Sequence, residues 1–174
     1  MWKKDKFRLI DHGCFWISDT PWVESIGKDE IKCNRTVLWA KLSEKESDKE
    51  FLYFNTHFGF GDECQTYSVK LIKKTVDVLK TDAFIMTGDF NMVKSDLGYK
   101  EMLKHFTDVN SVTAKDGRTT YHGYGMISKE EEKQIDYCFI NGGIEPKSCR
   151  IIDDLVGGKY PSDHYGIFFE LDVI

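Results

Sequence analysis

Ala83-Phe84-Ile85-Met86-Thr87-Gly88-Asp89-Phe90-Asn91 joins an apolar run directly to two short polar side chains. The apolar run predicts a buried strand that Gly88 ends. Asp89 and Asn91 lie two residues apart, so extended backbone would point both side chains to the same side at the exit of the strand. A carboxylate and an amide in this position can together hold a hard metal ion, a water molecule or a phosphate oxygen.

Similar polar clusters adjoin apolar or aromatic runs elsewhere in the chain. They are Asn55-Thr56-His57, Ile135-Asp136-Tyr137 and Ser162-Asp163-His164. Polar side chains that recur at the ends of separate strands favour one site assembled from distant segments. The sequence therefore predicts a single active site rather than several independent turns.

The composition indicates one folded domain. The chain has 174 residues, of which 41% are hydrophobic and 14% aromatic, which is typical of a globular protein with a sizeable core and not of a disordered one. The net charge of −5 argues against a broadly basic nucleic-acid surface. It does not exclude a nucleic-acid enzyme, because a local basic rim can coexist with an acidic metal site.

The cysteines and apolar stretches exclude several other classes of protein. The five cysteines are odd in number and form no CxxC pair, so we expect buried thiols rather than a zinc site or a disulfide framework. No apolar stretch is long enough to span a membrane, and no signal peptide is recognisable. We therefore expect a cytoplasmic protein with no membrane span.

Hydrophobic periodicity predicts an α/β domain in which strands dominate. Residues 35–42 and 51–55 predict a hairpin, and residues 65–79 predict a helix with the apolar stripe Val69, Ile72, Val76 and Leu79. A shorter helix is predicted at 99–105 and a charged loop at 122–133. Further strands are predicted at 15–18, 83–87, 119–121, 135–140, 148–152 and 166–173. This arrangement favours sheet-on-sheet packing.

His164 is the strongest candidate for a general base. A neutral imidazole can take a proton from water near neutral pH, provided that a carboxylate orients its other nitrogen. Asp136 is a suitable partner, because a carboxylate in an apolar strand is costly unless it is paired or binds a metal. The alternatives are a buried Asp that fixes a turn and a capping Ser-Asp pair. Ser162 is not a nucleophile, since three adjacent residues cannot fold into a triad.

The remaining residue types indicate the reaction. His57 shares a strand face with Asn55, which favours a site over a structural histidine. Carboxylates, amides and imidazoles without cysteine ligands favour Mg²⁺ or Mn²⁺. Such a cation neutralises a phosphate and stabilises the leaving oxygen, while histidine and aspartate prepare a water nucleophile. The sequence therefore predicts phosphoester hydrolysis.

Six motifs follow one another along the chain: Phe15-Trp16-Ile17-Ser18-Asp19-Thr20-Pro21, Asn55-Thr56-His57-Phe58, Gly88-Asp89-Phe90-Asn91, Thr119-x-Tyr121-His122-Gly123, Ile135-Asp136-Tyr137 and Ser162-Asp163-His164. Their order resembles that of the endonuclease/exonuclease/phosphatase superfamily, from about residue 13 to the C-terminus. The resemblance implies a four-layer α/β/β/α sandwich of two facing sheets with helices outside, and an active site at one edge between the sheets.

The resemblance also implies a catalytic role for each matched position. His164 is similar to the base that activates water or holds the phosphate, and Asp136 to its orienting partner. Asp89 and Asn91 resemble the pair that positions the nucleophile and the scissile phosphate, or a second metal. His57 resembles the residue that assists the leaving oxygen.

Metal and substrate contacts follow from the same resemblance. Asp163 is similar to a metal-shell carboxylate, and Asp89 to a further metal contact, with Mg²⁺ or Mn²⁺ as the cation. His122 and Asn91 are expected on the substrate side. The substrate class stays open among nucleic acids, phospholipids and small phosphorylated metabolites, although the acidic balance disfavours a long polyanion.

The sequence departs from the family pattern at its beginning. No segment matches the family's first strand with its Asn, or the strand that ends in the principal Glu metal ligand; Glu24 and Glu30 are in the wrong place for it. We therefore expect one domain over 1–174, truncated at the N-terminus, that lacks the first strands of the fold. Gly59 and Gln65 stand where many relatives have Asp and Arg. These changes affect the contacts that the resemblance implies with the leaving group and the substrate.

These departures leave the activity open between two main hypotheses. The first is a metal-dependent phosphodiesterase or phosphatase with weak or absent turnover, because an underliganded cation is not rescued by its surroundings. The alternative is a non-catalytic module that binds a protein or a phosphorylated ligand. A structural domain with polar strand caps ranks third. Bare strand edges and apolar surface would favour self-association.

Overall fold

Strand-forming segments dominate the computed structural model, which describes residues 1–113 and 119–174. The strands of the described residues are β1 (Phe7–Trp16), β2 (Thr36–Glu44), β3 (Glu50–His57), β4 (Phe84–Asp89), β5 (Thr107–Asp108), β6 (Asp136–Ile140), β7 (Ile144–Ile152) and β8 (Gly166–Val173). The helices are α1 (Asp62–Leu79), α2 (Leu97–Met102) and α3 (Val109–Thr113), with a 3₁₀ turn at Gly123–Gly125.

The strands form two sheets of unequal size. The larger has the order β1-β2-β3-β4-β6-β5, and the smaller consists of β7 and β8. β1, β2 and β3 form an antiparallel meander, which includes the predicted hairpin. β3 and β4 run parallel and are joined through α1, because parallel neighbours need a long crossover connection. β6 then pairs antiparallel with β4.

Alternating side chains of the large sheet build two cores on its opposite faces. On one face, Phe84 and Met86 pack with the buried stripe of α1, which includes Val69, Ile72 and Val76, as the periodicity predicted. On the other face, Ile85 and Cys138 pack against the β7–β8 sheet.

The resulting layers are helices, a large sheet and a small sheet. The predicted α/β sandwich with two facing sheets is confirmed. Among the described residues, helical cover is limited to three α-helices. In the same part of the chain, the outer edge of β1 and the outer edges of the β7–β8 sheet pair with no further strand. Self-association through such edges stays a prediction.

Gly88 does not end the strand, contrary to the prediction, because β4 continues through it to Asp89. The glycine serves a different purpose. A Cβ at this position would lie 2.0 Å from the carbonyl oxygen of Thr56 on β3. Gly88 therefore permits the close approach of β3 and β4 at the end of the sheet where their polar residues emerge.

Strand boundaries differ from the predictions mainly at sheet edges. β1 starts at Phe7 rather than at residue 15, since this edge strand carries exposed polar side chains and a bulge between Leu9 and Asp11 that obscure its alternation. β7 includes Pro146, which an edge position and an adjacent irregularity tolerate. The predicted strand at 119–121 is reduced to isolated bridges at Tyr121.

The charged loop between β1 and β2 is anchored by a buried ion pair. Arg35 Nε donates to Asp29 Oδ2 at 2.8 Å, and the Asp29 side chain is 1% exposed. The other Asp29 oxygen accepts the backbone N–H of Phe60 at 3.0 Å. The loop is thereby fixed to the segment that follows His57.

Within residues 1–113 and 119–174, no helix has the length and apolarity that crossing a bilayer requires.

Candidate active site

At one end of the large sheet, β3 and β4 finish and β6 begins, and each strand carries a polar side chain there. His57 on β3 is in register with Asp89 on β4, and Asp89 is in register with Asp136 on β6. His164 comes from the loop before β8 and reaches the same edge. Because strand register places these residues side by side, polar groups that are 107 positions apart in sequence meet in space.

Asp136 and His164 form a hydrogen-bonded pair. His164 Nδ1 donates to Asp136 Oδ2 at 2.7 Å, and both side chains are largely buried, at 24% and 20% exposure. With its proton on Nδ1, the neutral imidazole leaves Nε2 without a proton. Nε2 lies 3.9 Å from Asp89 Oδ2. The pair can therefore present an unprotonated ring nitrogen to a water molecule beside Asp89.

Burial and neighbouring charges shift the titration of the two central groups. The hydrogen bond to Asp136 raises the pKa of His164, with further contributions from the nearby charges of Asp136, Asp89 and Asp163. Burial raises the pKa of Asp89, and the charge of Asp136 adds to this effect, although the backbone N–H of Asn91 opposes it. Two carboxylates in one half-buried site create an excess of negative charge.

These groups fit a divalent cation. One ligand atom each from Asp89, Asp136 and His164 lies within 4.8 Å of the others. The carboxylate oxygens of this group suit Mg²⁺ or Mn²⁺, and a cation held by them would offset the repulsion between the carboxylates. The donor chemistry does not select one metal over the other.

Asn91 organises the other side of Asp89. Its backbone is left-handed (φ 47°), not extended as predicted, and its N–H donates to Asp89 Oδ1 at 2.9 Å. Its amide nitrogen donates to the carbonyl of Phe58 and to His57 Nε2, each at 3.0 Å. His57 Nε2 also lies 3.2 Å from Asp89 Oδ2, and its side chain is 58% exposed. Asn91 thus connects Asp89 with an imidazole open to solvent.

Sequence reasoning missed the contribution of Gln65 to this arrangement. Gln65 lies within the first turns of α1, and its side-chain amide donates to the carbonyl oxygen of Asn91 at 2.8 Å. The residue is buried, at 4% exposure. Because Gln65 stands where many relatives have Arg, the sequence indicated only that substrate contacts are altered. The structure shows that Gln65 also fixes the backbone of Asn91.

Two predicted site residues lie outside the cation-binding group. Asp163 accepts backbone N–H groups of His122 and Gly123 through its carbonyl oxygen, and a hydroxyl hydrogen of Ser162 through its carboxylate. His122 is 1% exposed and stacks on Tyr165 at 4.0 Å between ring centroids. The structure therefore packs His122 in the interior, and the metal role of Asp163 and the substrate role of His122 stay predictions.

A groove of about 710 Å³ extends from the polar edge between the two sheets. On one side, β8 contributes Ile167 and Phe169. On the other, Tyr53 and Asn55 hydrogen-bond to Thr87 at 2.6 and 3.2 Å. The groove thus combines apolar walls with a polar floor that leads to the Asp89 carboxylate.

Sequence comparison alone gives limited information. No protein-family model matches the chain. An uncharacterized protein, L388, of Acanthamoeba polyphaga mimivirus is 39% identical over 80 residues. This match covers 44% of the chain and 30% of the viral protein, so it spans less than a third of that relative.

Comparison with solved structures is more extensive. An endonuclease/exonuclease/phosphatase protein from Bacteroides vulgatus matches with a TM-score of 0.90 and 28% identity, over 99% of this chain and 69% of that one. A mannosyl-6-phosphatase from Bacteroides thetaiotaomicron matches with a TM-score of 0.87 and 26% identity, over 98% and 69% of the two chains. Such neighbours support a phosphoesterase type of function. Together with the ordered motifs at the strand ends, they identify the fold of this chain as that of the endonuclease/exonuclease/phosphatase superfamily.

Proposed function

We propose that the polar end of the groove is the active site of a divalent-cation-dependent phosphoester hydrolase. The observation that carries the proposal is the close association of the Asp136–His164 pair with Asp89, within 4.8 Å. An oriented imidazole beside a carboxylate-rich cation site can activate water and neutralise phosphate charge, and both effects accelerate hydrolysis of a phosphoester.

In this proposal His164 is the general base. Asp136 holds the ring by accepting the Nδ1 proton, which fixes the tautomer and directs Nε2 toward Asp89. Nε2 takes a proton from the attacking water, and the resulting imidazolium is stabilised by the Asp136 carboxylate. The raised pKa of His164 makes it a stronger base, and it also requires a pH high enough to keep the ring neutral.

Asp89 is the cation ligand that faces Nε2 of this base, at 3.9 Å. Asp136 and His164 complete the group of donors that could hold Mg²⁺ or Mn²⁺, but Nε2 of His164 cannot bind a cation and accept a proton at the same time. The proposal assigns Nε2 to water and leaves the carboxylates, with Asp163 as a further candidate, to the cation. A bound cation would supply neutralisation of the phosphate charge.

His57 and Asn91 face the leaving-group side. His57 is more exposed than the other site residues, so its ring can reach a ligand in the groove. With Nε2 accepting the Asn91 amide hydrogen, the neutral ring carries its proton on Nδ1 and can donate a hydrogen bond from there to the leaving oxygen.

Among phosphoester classes, we place small phosphorylated metabolites first. One structural neighbour is a mannosyl-6-phosphatase, and the net charge of −5 disfavours a long polyanion. Nucleic acid and phospholipid are the other substrate classes, and bis(p-nitrophenyl) phosphate represents their phosphodiester bond in the test. The donor group among the described residues, Asp89, Asp136 and His164, contains no glutamate, so we propose turnover slower than that of a phosphoesterase with a further carboxylate ligand.

The test is hydrolysis of p-nitrophenyl phosphate, bis(p-nitrophenyl) phosphate and mannose 6-phosphate with Mg²⁺, with Mn²⁺ and in EDTA. We expect cation-dependent turnover that His164→Ala reduces by about 10²-fold or more, because general-base catalysis contributes about that factor. His12→Ala, an exposed histidine on β1, is the matched control and should retain activity. Cation-dependent phosphate binding without turnover in calorimetry would favour the non-catalytic alternative, and turnover unaffected by His164→Ala would contradict the assigned base.

A further inference from the structure

Side chains, rather than a neighbouring strand, hold the outer edge of β6 where it approaches the site. β5 pairs with β6 only at Thr107–Ile140 and Asp108–Phe139. Beyond this ladder, Asn110 Oδ1 accepts the Cys138 N–H at 3.2 Å, and Asn110 Nδ2 lies 3.4 Å from the Asp136 carbonyl oxygen that accepts its hydrogen bond. The Asn110 amide thus continues the pairing of β6 down to Asp136.

At Asp136, the first residue of β6, Thr120 also contacts this edge. Its hydroxyl oxygen accepts the backbone N–H groups of Ile135 at 3.0 Å and Asp136 at 3.1 Å. Its own carbonyl oxygen accepts the backbone N–H of Tyr165 at 2.7 Å. Thr120 is fully buried, at 0% exposure. One residue therefore contacts both segments that carry the Asp136–His164 pair.

The support beneath Asn110 is also buried and hydrogen-bonded. Asp108, at 1% exposure, accepts the Asn110 backbone N–H at 2.9 Å and the Tyr99 hydroxyl hydrogen at 2.8 Å. Ser111 donates a further hydrogen bond to the same carboxylate at 2.6 Å. Because its backbone is fixed in this way, Asn110 has little freedom to withdraw from β6.

We infer that Thr120, with support from Asn110, is a positioning residue that sets the distance between Asp136 Oδ2 and His164 Nδ1. Asp136 is the first residue of β6 and His164 lies in a loop, so the ladder between β4 and β6 alone does not fix their separation. The hydroxyl of Thr120 fixes the backbone of Asp136, and the carbonyl of Thr120 fixes the backbone next to His164. Outer contacts of this kind orient catalytic groups without touching substrate.

The decisive experiment compares Thr120→Val with Thr120→Ser. Valine keeps the shape of threonine but removes the oxygen that accepts two N–H groups, whereas serine retains it. In the metal-free protein with ¹⁵N-labelled histidine, the hydrogen-bonded Nδ1 proton of His164 gives a downfield NMR signal that His164→Gln removes. We expect the Thr120→Val protein to lose or shift this signal, although it still unfolds in a single cooperative transition. The Thr120→Ser protein should show the wild-type signal.

Ser68→Ala is the matched control, since Ser68 is equally buried and its hydroxyl donates to Cys64 in α1, away from the site. It should leave the His164 signal unchanged. A folded Thr120→Val protein with the wild-type signal would overturn the inference. If Thr120→Val does not fold, Asn110→Leu is measured instead and is judged by the same signal.

The bearing of this inference on turnover rests on the proposed function. For an active enzyme, Thr120→Val should lower kcat by about 10²-fold, the order of effect that a small misplacement of catalytic groups produces, with KM nearly unchanged and recovery in Thr120→Ser. The NMR measurement needs neither substrate nor cation. Failure of the positioning role is therefore distinguishable from failure of the hydrolase proposal.

Discussion

Replacing Asp89 with Asn should stabilise the cation-free protein at neutral pH. Burial and the charge of Asp136 raise the pKa of Asp89, so the folded state favours the protonated form. The stability contributed by Asp89 is therefore complete below the ordinary pKa of an aspartate and is lost as the pH rises through the raised folded value. At neutral pH the ionised carboxylate opposes folding, and an amide removes that charge.

The size of the effect follows from the spacing of the cluster. At 4.8 Å, its outer limit, two unit charges repel by about 3 kcal/mol at an effective dielectric constant of about 20. Nearby His57 and His164 offset part of this repulsion, so we expect Asp89→Asn to gain about 1–2 kcal/mol. The asparagine oxygen can still accept the backbone N–H of Asn91, so no hydrogen bond to this backbone group is lost.

Urea unfolding in EDTA and in excess Mg²⁺ or Mn²⁺ measures both consequences. A cation at a hundred times its dissociation constant stabilises the wild type by about 2.7 kcal/mol. The same cation concentration should stabilise the Asp89→Asn protein much less. The order of stability should therefore reverse when the cation is added. Asp77→Asn on the exposed face of α1 is the control and should change stability by no more than about 0.5 kcal/mol. Loss of stability in EDTA together with an unchanged cation response would refute the reasoning.

Further predictions concern pH, the buried ion pair and the β4 glycine. The hydrogen bond to Asp136 raises the pKa of His164 in the folded protein. The stability that His164 contributes should therefore be complete below about pH 6.5 and should decline as the pH rises through its raised pKa. In urea unfolding measured at a series of pH values, His164→Gln should flatten this decline. Arg35→Met leaves the Asp29 carboxylate buried and unpaired and should cost about 3–5 kcal/mol in calorimetry, with partial recovery when Asp29→Asn is added. Gly88→Ala should force β4 away from β3 and lower the free energy of unfolding by about 1–3 kcal/mol, with weaker cation binding by titration calorimetry.

Strand alternation made much of the site predictable. His57, Asp89 and Asp136 are polar groups at or beside apolar runs, and a polar group in that context requires a partner or a site. The sequence could not show which strands are neighbours. The register of β3, β4 and β6 in the folded sheet places Asp89 between His57 and Asp136.

Features that depend on backbone contacts escaped the sequence analysis. Gly88 reads as a strand breaker in sequence, yet its role is to avoid a clash with the Thr56 carbonyl on another strand. Asn110 and Thr120 are common polar residues with no local signal, because their roles depend on the edge of β6 that they cover. The first part of edge strand β1, before Phe15, was missed for a related reason, since solvent on one side removes the apolar pattern that identifies inner strands.

The site divides into a part set by the sheet and a part set by a loop. His57 and Asp89 are fixed by the ladder between β3 and β4, whereas the separation of Asp136 and His164 also depends on Thr120, which contacts the segments of both. Cation affinity and imidazole placement should therefore respond to different substitutions. Asp89→Asn should strongly reduce cation stabilisation, because it removes a ligand from the sheet. Thr120→Val should preserve part of that stabilisation while changing the separation of Asp136 and His164, and equal loss of both in each variant would show that the two parts form one cooperative unit.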